Sequence, residues 1–223
     1  KYKGGCDKSH QPRGKQSLRP GFIMYGGISG IWQTVWLEEM PQCRIDYIHT
    51  STSPENKTVS AKIKLDGCTA SQTYMIRGQI LTSEKRTSDK SKAETVCGSR
   101  SLSVTTDEEG RAETEIVVEF DTQGLTHFKL WEVASETGVK PTRFLFRAFL
   151  EAGSAKKSLQ LDRVETNVAF RTVERKGARL LINGKPVFQM GVLWQGYWPD
   201  GLYTPPTARA LWNDLDYVRQ SGF

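Results

Sequence analysis

Short segments in which apolar and polar residues alternate constrain the fold of this chain more than any other feature of its sequence. The segment VSAKIKL (59–65) places its valine, alanine, isoleucine and leucine on one side and its serine and two lysines on the other. The segment TEIVVEF (114–120) places Ile116, Val118 and Phe120 together in the same way. A repeat of two residues is that of a β-strand with one face buried and one face in water. Both segments are therefore predicted to be strands of a half-buried sheet.

Other segments between positions 43 and 165 have the same character. They are TYMIRGQIL (73–81), RFLFRAFL (143–150) and SLQLDRVE (158–165). A series of short strands without helical periodicity predicts an antiparallel sandwich of the immunoglobulin type, so that the chain is mainly β. The polar stretch 83–112 is predicted to be a long exposed connection, with room for one edge strand near Leu102 and Val104.

The segment SGIWQTVWLE (29–38) would be apolar on both faces if it formed a strand. Two tryptophans, Trp32 and Trp36, would share one of these faces. A strand that is covered on both sides belongs in the middle of a packed sandwich. The two rings are therefore predicted to pack in a core rather than to line a binding cleft.

Two turn signals appear towards the end of the chain, Lys176-Gly177 and Asn183-Gly184. Each is flanked by apolar segments typical of strands, which predicts a hairpin followed by a new strand over residues 187–192.

A helix is predicted after this strand and an aromatic loop. Thr207 is its expected N-cap, and Gly222 stands where a C-terminal cap belongs. Leu211, Leu215 and Val218 recur between them at helical spacing. The succession of strand, long loop and helix is typical of the first unit of an alternating β/α architecture.

Composition and charge argue against a membrane-bound protein and against a nucleic-acid-binding protein. With 223 residues, of which 37% are hydrophobic and 10% aromatic, the chain suits a globular protein rich in sheet. No segment approaches the roughly 18 consecutive apolar residues that a membrane helix needs. The net charge of +6 is spread along the chain, and its densest basic cluster, EKRTSDKSK (84–92), is interrupted by acids. A nucleic-acid partner and a membrane partner are therefore not predicted.

The four cysteines and three histidines show no metal-ligand spacing, so neither a metal site nor a cofactor is predicted. A disulfide between Cys68 and Cys97 and a set of buried thiols are both open alternatives. The sequon at Asn56 matters only if the protein is secreted, and the sequence leaves its compartment undetermined.

Four motifs follow one another along the chain: RGKQ (13–16), SGIWQTVWLE (29–38), GARLLINGKPVFQMGV (177–192) and GYWPDGLYTPPT (196–207). In this order they resemble glycoside hydrolase family 2, which includes β-galactosidases, β-glucuronidases and β-mannosidases. The resemblance implies three parts. Residues 1–39 look like the last strands of a sugar-binding jelly roll, and 40–165 look like an immunoglobulin-like sandwich. Residues 166–223 look like a hairpin, first strand and first helix of a catalytic eight-stranded β/α barrel.

Members of this family are typically retaining glycosidases with two catalytic glutamates, whose carboxyl groups lie roughly 5–5.5 Å apart. In the family, these glutamates follow later barrel strands. The chain ends at Phe223, before such positions, so none of its acidic residues matches a catalytic one. The resemblance therefore implies part of an enzyme that cleaves β-linked sugars and is inactive without the remainder of its barrel. The alternative is a non-catalytic module, derived from such an enzyme, that binds a glycan or a partner chain.

Active sites of β/α barrels lie at the face where the strands end. If residues 187–192 form the first strand, then Trp194, Gln195, Tyr197 and Trp198 are candidate substrate-binding residues. Aromatic faces stack on the C–H face of a pyranose, and the Gln195 amide can bridge hydroxyl groups. Close relatives tend to have an aspartate in place of Trp194, so the resemblance implies that either the substrate range or the activity itself is altered.

Four further substrate-binding candidates lie in the jelly-roll part. Met24 stands where some relatives place a carboxylate that reaches into the sugar pocket, and Tyr25 follows it. Asp7 and Arg13 are alternative polar contacts in the loop before GKQ. The expected partners are a carbohydrate and the remainder of the barrel, and association into a homo-oligomer is left open.

Overall fold

The computed structural model describes residues 15–17, 19, 21–28, 30–31, 33–82, 94–123, 128–133, 141–154 and 157–223. They divide into two compact units. One unit comprises Glu38–Phe188, and the other comprises the residues up to Leu37 together with Gln189–Phe223. The domain boundaries expected after positions 39 and 165 stay predictions.

The described residues form twelve strands and one helix. In chain order, the elements are β1 (Gln16–Ser17), β2 (Tyr25–Gly26), β3 (Arg44–Ser53), β4 (Thr58–Asp66), β5 (Thr73–Thr82), β6 (Val96–Thr105), β7 (Ala112–Glu119), β8 (Phe144–Ser154), β9 (Lys157–Val168), β10 (Val173–Lys176), β11 (Arg179–Ile182), β12 (Lys185–Val187) and α1 (Ala208–Gln220).

The larger unit is an antiparallel β-sandwich. One sheet has the strand order β3-β4-β7 and the other the order β6-β5-β8-β9. Every pair of neighbours in these two sheets is antiparallel. The mainly β fold predicted from the sequence is therefore confirmed, and β6 is an edge strand that includes Leu102 and Val104, as expected.

The core of the sandwich follows from the two-residue repeat. Val59, Ala61 and Ile63 are each 0% exposed, whereas the side chains between them point outward. On β7, Ile116 and Val118 are also fully buried. Burying an aliphatic side chain of this size stabilises the folded state by about 1.5–3 kcal/mol relative to leaving it in water. The alternation in these segments therefore selects the buried face of each strand.

Two hydrogen bonds connect the edge strand β3 with β9 and the residues just after it. The backbone N–H of Ile45 donates to Oδ2 of Asp162 at 2.8 Å, and Oγ1 of Thr52 donates to the backbone oxygen of Ala169 at 3.0 Å. These bonds satisfy backbone groups at the sheet edge, which would otherwise lack a ladder partner.

A disulfide joins Cys43 and Cys68 at one end of the β3–β4 hairpin. The pairing of Arg44 with Asp66 brings the two flanking cysteines together. Of the two alternatives that the sequence left open, the bridge between Cys68 and Cys97 is therefore wrong, and the set of buried thiols does not hold for Cys43 and Cys68. Cys97 lies on β6 in the opposite sheet, where its side chain is buried and its thiol donates to the backbone oxygen of Thr95.

The segment 31–38 does not form the predicted strand where the structure describes it. Val35 is 74% exposed, Trp36 is 71% exposed and Leu37 is fully exposed. The expectation that Trp36 packs in a core is therefore wrong, and Trp32 lies outside the described residues. The physical reason is that a strand is stable only in a hydrogen-bonded ladder, and no described strand pairs with this segment.

The strands β10, β11 and β12 form an antiparallel meander. Its turns lie at Gly177 and at Asn183-Gly184, which confirms both predicted turns. Asn183 and Gly184 both have positive φ angles (52° and 74°), as a tight two-residue hairpin turn requires. The new strand predicted over 187–192 is wrong. Only its first residue belongs to a strand, because residues 188–192 have no ladder partner in the described part of the chain.

Helix α1 begins and ends where the sequence predicts. The side chain of Thr207 accepts a hydrogen bond from the backbone N–H of Ala210 at 3.0 Å. Gly222 has a φ angle of 90°, and its N–H donates to the backbone oxygen of Arg219. The next N–H, of Phe223, donates to the oxygen of Val218, which completes a Schellman motif. Among the described residues, no helix is long and apolar enough to cross a membrane.

Candidate functional site

Three tyrosine rings from two distant parts of the sequence pack together in the smaller unit. The rings of Tyr25 and Tyr197 stack with their centroids 4.9 Å apart and their planes inclined by 17°. The ring of Tyr203 meets both edge-on, at 6.3 Å from Tyr25 and 5.7 Å from Tyr197. We call these three residues the tyrosine cluster. The sequence predicts two of them as substrate-binding residues, but not Tyr203.

Local backbone structure positions Tyr25. Its strand, β2, pairs in parallel with β1, so that Tyr25 lies opposite Gln16, and its N–H donates to the backbone oxygen of Lys15 at 2.9 Å. The turn before it is closed by a hydrogen bond from the N–H of Met24 to the oxygen of Gly21. Met24 is exposed, and its thioether offers a sugar hydroxyl group only a weak acceptor.

A tight loop positions the other two tyrosines. The N–H of Trp198 donates to the oxygen of Leu202 at 2.7 Å, and the N–H of Leu202 donates back to the oxygen of Trp198 at 3.0 Å. A side chain at Gly201 would place its Cβ only 1.8 Å from the backbone oxygen of Thr204. The loop therefore requires glycine at this position, and its closure holds Tyr197 and Tyr203 on either side of the bridge.

A cavity of about 320 Å³ lies beside the cluster. Tyr203 lines it together with Gln16, Ile28 and Gly30. Oε1 of Gln16 accepts a hydrogen bond from the N–H of Ile28 at 3.2 Å, which fixes the amide at the wall. The volume lies in the lower part of the range for small-molecule sites. These four lining residues offer an aromatic ring, an aliphatic side chain, an amide and a hydroxyl group, but no carboxylate. They are suited to binding rather than to acid–base chemistry.

Trp194 lies in a separate interaction. Its indole Nε1 donates to Oδ2 of Asp214 on helix α1 at 3.2 Å, and the ring is 45% exposed. Gly196 has a φ angle of 66°, and a Cβ added there would lie 3.5 Å from this ring. The structure thus ties Trp194 to the helix, and among the described contacts no ring interaction joins it to the tyrosine cluster. No sequence signal singled out Asp214.

The remaining predicted residues are less constrained. Gln195 is exposed, and Trp198 is half-buried and is held by the backbone bridge described above. Asp7 and Arg13 lie outside the described residues. Within the part of the chain that the structure describes, no group of histidine, cysteine and acidic side chains is arranged to hold a metal ion.

Comparison with known proteins gives matches by structure only. No protein-family model matches the chain, and no curated protein matches its sequence. A β-glucuronidase from Bacteroides uniformis matches with a TM-score of 0.60 at 15% identity, over 82% of this chain and 21% of that one.

Two other solved structures match to a similar extent. A protein from Bacteroides fragilis that is assigned as a β-galactosidase has a TM-score of 0.59 and 19% identity, over 81% of this chain and 25% of that one. A β-glucuronidase from Lactobacillus rhamnosus has a TM-score of 0.53 and 13% identity, over 82% of this chain and 25% of that one. The chain therefore spans only about a fifth to a quarter of the length of these enzymes.

At identities this low, the matches show a shared fold. They agree with the resemblance carried by the sequence motifs, since β-galactosidases and β-glucuronidases are members of the family that it named. The chain has the fold of a segment of these β-glucuronidase and β-galactosidase structures.

Proposed function

We propose that this chain is part of a retaining glycoside hydrolase that acts on β-linked sugars, and that its tyrosine cluster and the adjoining cavity bind carbohydrate. The observation that carries this proposal is the stack of Tyr25 on Tyr197, with Tyr203 lining a cavity beside it. The shared fold with β-galactosidase and β-glucuronidase structures supports it.

The chemistry of the cavity fits a pyranose. A sugar ring has one face rich in C–H groups, which packs on an aromatic ring, and a rim of hydroxyl groups, which need hydrogen-bond partners. Tyr203 offers a ring and a hydroxyl group, and Gln16 offers an amide. Gln195 and Trp198, on the loop that carries Tyr197, are proposed as further contacts to a longer substrate.

Cleavage of the glycosidic bond needs two catalytic carboxyl groups, and we do not propose that this segment supplies them. A retaining glycosidase uses two carboxyl groups roughly 5–5.5 Å apart, one as nucleophile and one as acid and base. We assign neither role to an acidic residue of this chain. The catalytic pair is proposed to come from further strands of a barrel. The exposed Trp212 and Leu215 on α1 suit this idea, because such a helix face is normally covered.

Calorimetric titration of the chain with phenyl β-D-galactoside and phenyl β-D-glucuronide tests the binding proposal. We expect saturable binding of at least one ligand without hydrolysis. The substitution Tyr203→Ala should weaken it by roughly tenfold, equivalent to about 1.4 kcal/mol. The matched control is Tyr47→Ala, which removes an exposed tyrosine from β3 of the sandwich and should leave the affinity unchanged. Equal effects of the two substitutions, or no binding of either glycoside, would contradict the proposal.

A non-catalytic binding module is the second candidate. The observation that favours it is the exposure of large apolar side chains, among them Leu37, Phe188 and Leu193, which a partner chain could cover. Hydrolysis of the same aryl glycosides by the longest natural polypeptide that contains this chain separates the two candidates. Turnover supports the enzyme, and binding without turnover by that polypeptide supports the module.

A further inference from the structure

The hairpin of β3 and β4 carries two features that the proposed function does not use. At its open end lies the disulfide between Cys43 and Cys68. At its closed end lies the turn of residues 54–57, which contains Asn56. The sequence Asn56-Lys57-Thr58 is an acceptor sequon for N-linked glycosylation, and it is the only one in the chain.

The side chain of Asn56 is accessible to a modifying enzyme, because it lies in an exposed turn. Asn56 is exposed, its backbone N–H donates to Oγ of Ser53 at 3.2 Å, and Lys57 has a positive φ angle of 53°. The backbone oxygen of Lys57 accepts a hydrogen bond from the N–H of Phe120 at 2.8 Å, which anchors the turn to the sandwich. A saccharide on the Asn56 side chain would therefore extend into water without displacing any core residue.

The disulfide provides an independent observation about the compartment. Disulfides form and persist in oxidising environments, such as the endoplasmic reticulum and the cell exterior, and are rare in reducing ones. Cys43 and Cys68 lie outside the sequon and its turn, so the two features do not depend on each other. Modification has two conditions, an accessible acceptor and passage through an oxidising export route. The exposed Asn56 meets the first, and the disulfide favours the second.

We propose that Asn56 carries an N-linked oligosaccharide, added as the protein passes through an oxidising export compartment. This inference does not rest on the proposed glycosidase function. The donor is an oligosaccharide linked to a lipid pyrophosphate, and a transferase provides the catalysis. The side-chain nitrogen of Asn56 forms a bond to the anomeric carbon of the first sugar, and the bond from that carbon to the phosphate oxygen breaks. The bond electrons leave with the lipid pyrophosphate, and the proton lost from nitrogen passes to a base of the transferase.

The position of the saccharide gives it a physical role. It would project from the end of β3, which is an edge strand of the three-stranded sheet. Edge strands invite pairing with other chains, and proteins commonly protect them with charges, bulges or covering groups. A hydrated oligosaccharide at the end of this edge would hinder such pairing between copies of the protein.

Peptide mass spectrometry of the full-length protein purified from its natural source tests the proposal. The tryptic fragment that begins at Ile45 contains Asn56. We expect this fragment to carry hexose and N-acetylhexosamine masses. Treatment with a peptide N-glycosidase should remove them and convert Asn56 to aspartate. An unmodified Asn56 in the native protein would overturn the proposal, even if the disulfide is found intact.

Secreted expression in a eukaryotic host provides matched variants. Asn56→Gln and Thr58→Ala should both abolish the glycosidase-sensitive shift in gel mobility, whereas Thr58→Ser should retain it because serine preserves the sequon. Loss of the shift in Thr58→Ser, or its persistence in Asn56→Gln, would show that the modification lies elsewhere and would overturn the assignment to Asn56.

Discussion

The ring of Tyr25 stacks on the ring of Tyr197 at a centroid distance of 4.9 Å, although the two residues stand near opposite ends of the chain. Each is fixed by its own local structure, Tyr25 by the pairing of β2 with β1 and Tyr197 by the bridge between Trp198 and Leu202. The contact joins the first and last parts of the smaller unit, and it is where candidate binding residues from the two parts of the sequence meet.

The Tyr25 and Tyr197 rings should act as one unit in ligand binding. We expect Tyr25→Ala and Tyr197→Ala each to weaken binding of an aryl β-glycoside. The double variant should lose less than the sum of the two single losses, because either substitution already breaks the stack. Aromatic pairs of this kind couple by about 0.5–1.5 kcal/mol. Calorimetric dissociation constants for the four proteins give the coupling, and strictly additive losses would contradict a shared role.

Removal of the disulfide should destabilise the sandwich. The cysteines are 25 residues apart in sequence, and a cross-link that closes a loop of this length contributes about 3–4 kcal/mol through the entropy of the unfolded chain. The double substitution of Cys43 and Cys68 by serine should lower the free energy of unfolding, as measured by urea denaturation, by an amount of this order. Adding dithiothreitol should destabilise the wild type but not the double variant. Equal sensitivity of both proteins to the reductant would contradict the assigned pairing.

Arg147 on β8 should contribute more to stability than its neighbour Arg163. The Arg147 guanidinium donates to Glu94 and Glu165 at 2.7 Å each, and its side chain is 14% exposed. Arg163 is 51% exposed and lies 3.6 Å from the same Glu165 carboxylate. We expect Arg147→Ala to cost about 2 kcal/mol of unfolding free energy, and Arg163→Ala less than about 0.5 kcal/mol. Urea denaturation of both variants checks the ranking, and the reverse order would contradict it.

The pKa of Arg147 makes this contribution independent of pH over the ordinary range. Burial lowers the pKa, but the hydrogen bonds and charges of Glu94 and Glu165 outweigh it, so the pKa lies above its ordinary value. A group whose pKa is raised on folding contributes stability that is fully present below its unfolded pKa and is lost only as the pH rises through its folded pKa. The difference between Arg147→Ala and the wild type should therefore not decline between neutral pH and pH values near 10 through titration of this group.

Gly110 and Gly177 allow two reasons for requiring glycine to be compared, a positive φ angle and a lack of space for a Cβ atom. Both have positive φ angles, 75° and 61°. A Cβ at Gly110 would lie 2.0 Å from the backbone oxygen of Cys68, whereas a Cβ at Gly177 would meet nothing within 4 Å. We expect Gly177→Ala to cost about 1 kcal/mol from the backbone conformation alone, and Gly110→Ala to cost more, at least about 3 kcal/mol, because the turn must also open. Thermal unfolding of both variants tests the order.

Local patterns predicted much of the fold. The buried face of β4 follows from the alternation around Ile63, because a half-buried strand repeats every two residues. The turn at Asn183-Gly184 follows from two residue types that tolerate positive φ angles. The start of α1 follows from Thr207, whose hydroxyl group satisfies a backbone donor of the first helical turn. In each case the interaction lies within a few residues of the signal.

Predictions that depend on distant partners were less successful. The apolar pattern around Trp36 suggested a buried strand, but a strand also needs neighbours, and this segment has none among the described elements. The cysteine spacing did not identify Cys43 as the partner of Cys68, because the register of β3 against β4 decides which sulfur atoms meet. Asp214 carried no signal, since its contact with Trp194 arises only when the aromatic loop returns to the helix.

The strands of the sandwich, the turns of the meander and the caps of the helix can all be predicted from the amino-acid sequence, because they depend on backbone preferences and on the periodicity of burial. The amino-acid sequence also shows which types of residue are present at the candidate site. That Tyr25, Tyr197 and Tyr203 share one cluster, and that Cys43 bonds to Cys68, emerges only in the folded chain. The physical reason is that such contacts arise from the closure of long loops, in which the packing of whole elements sets the distance between side chains.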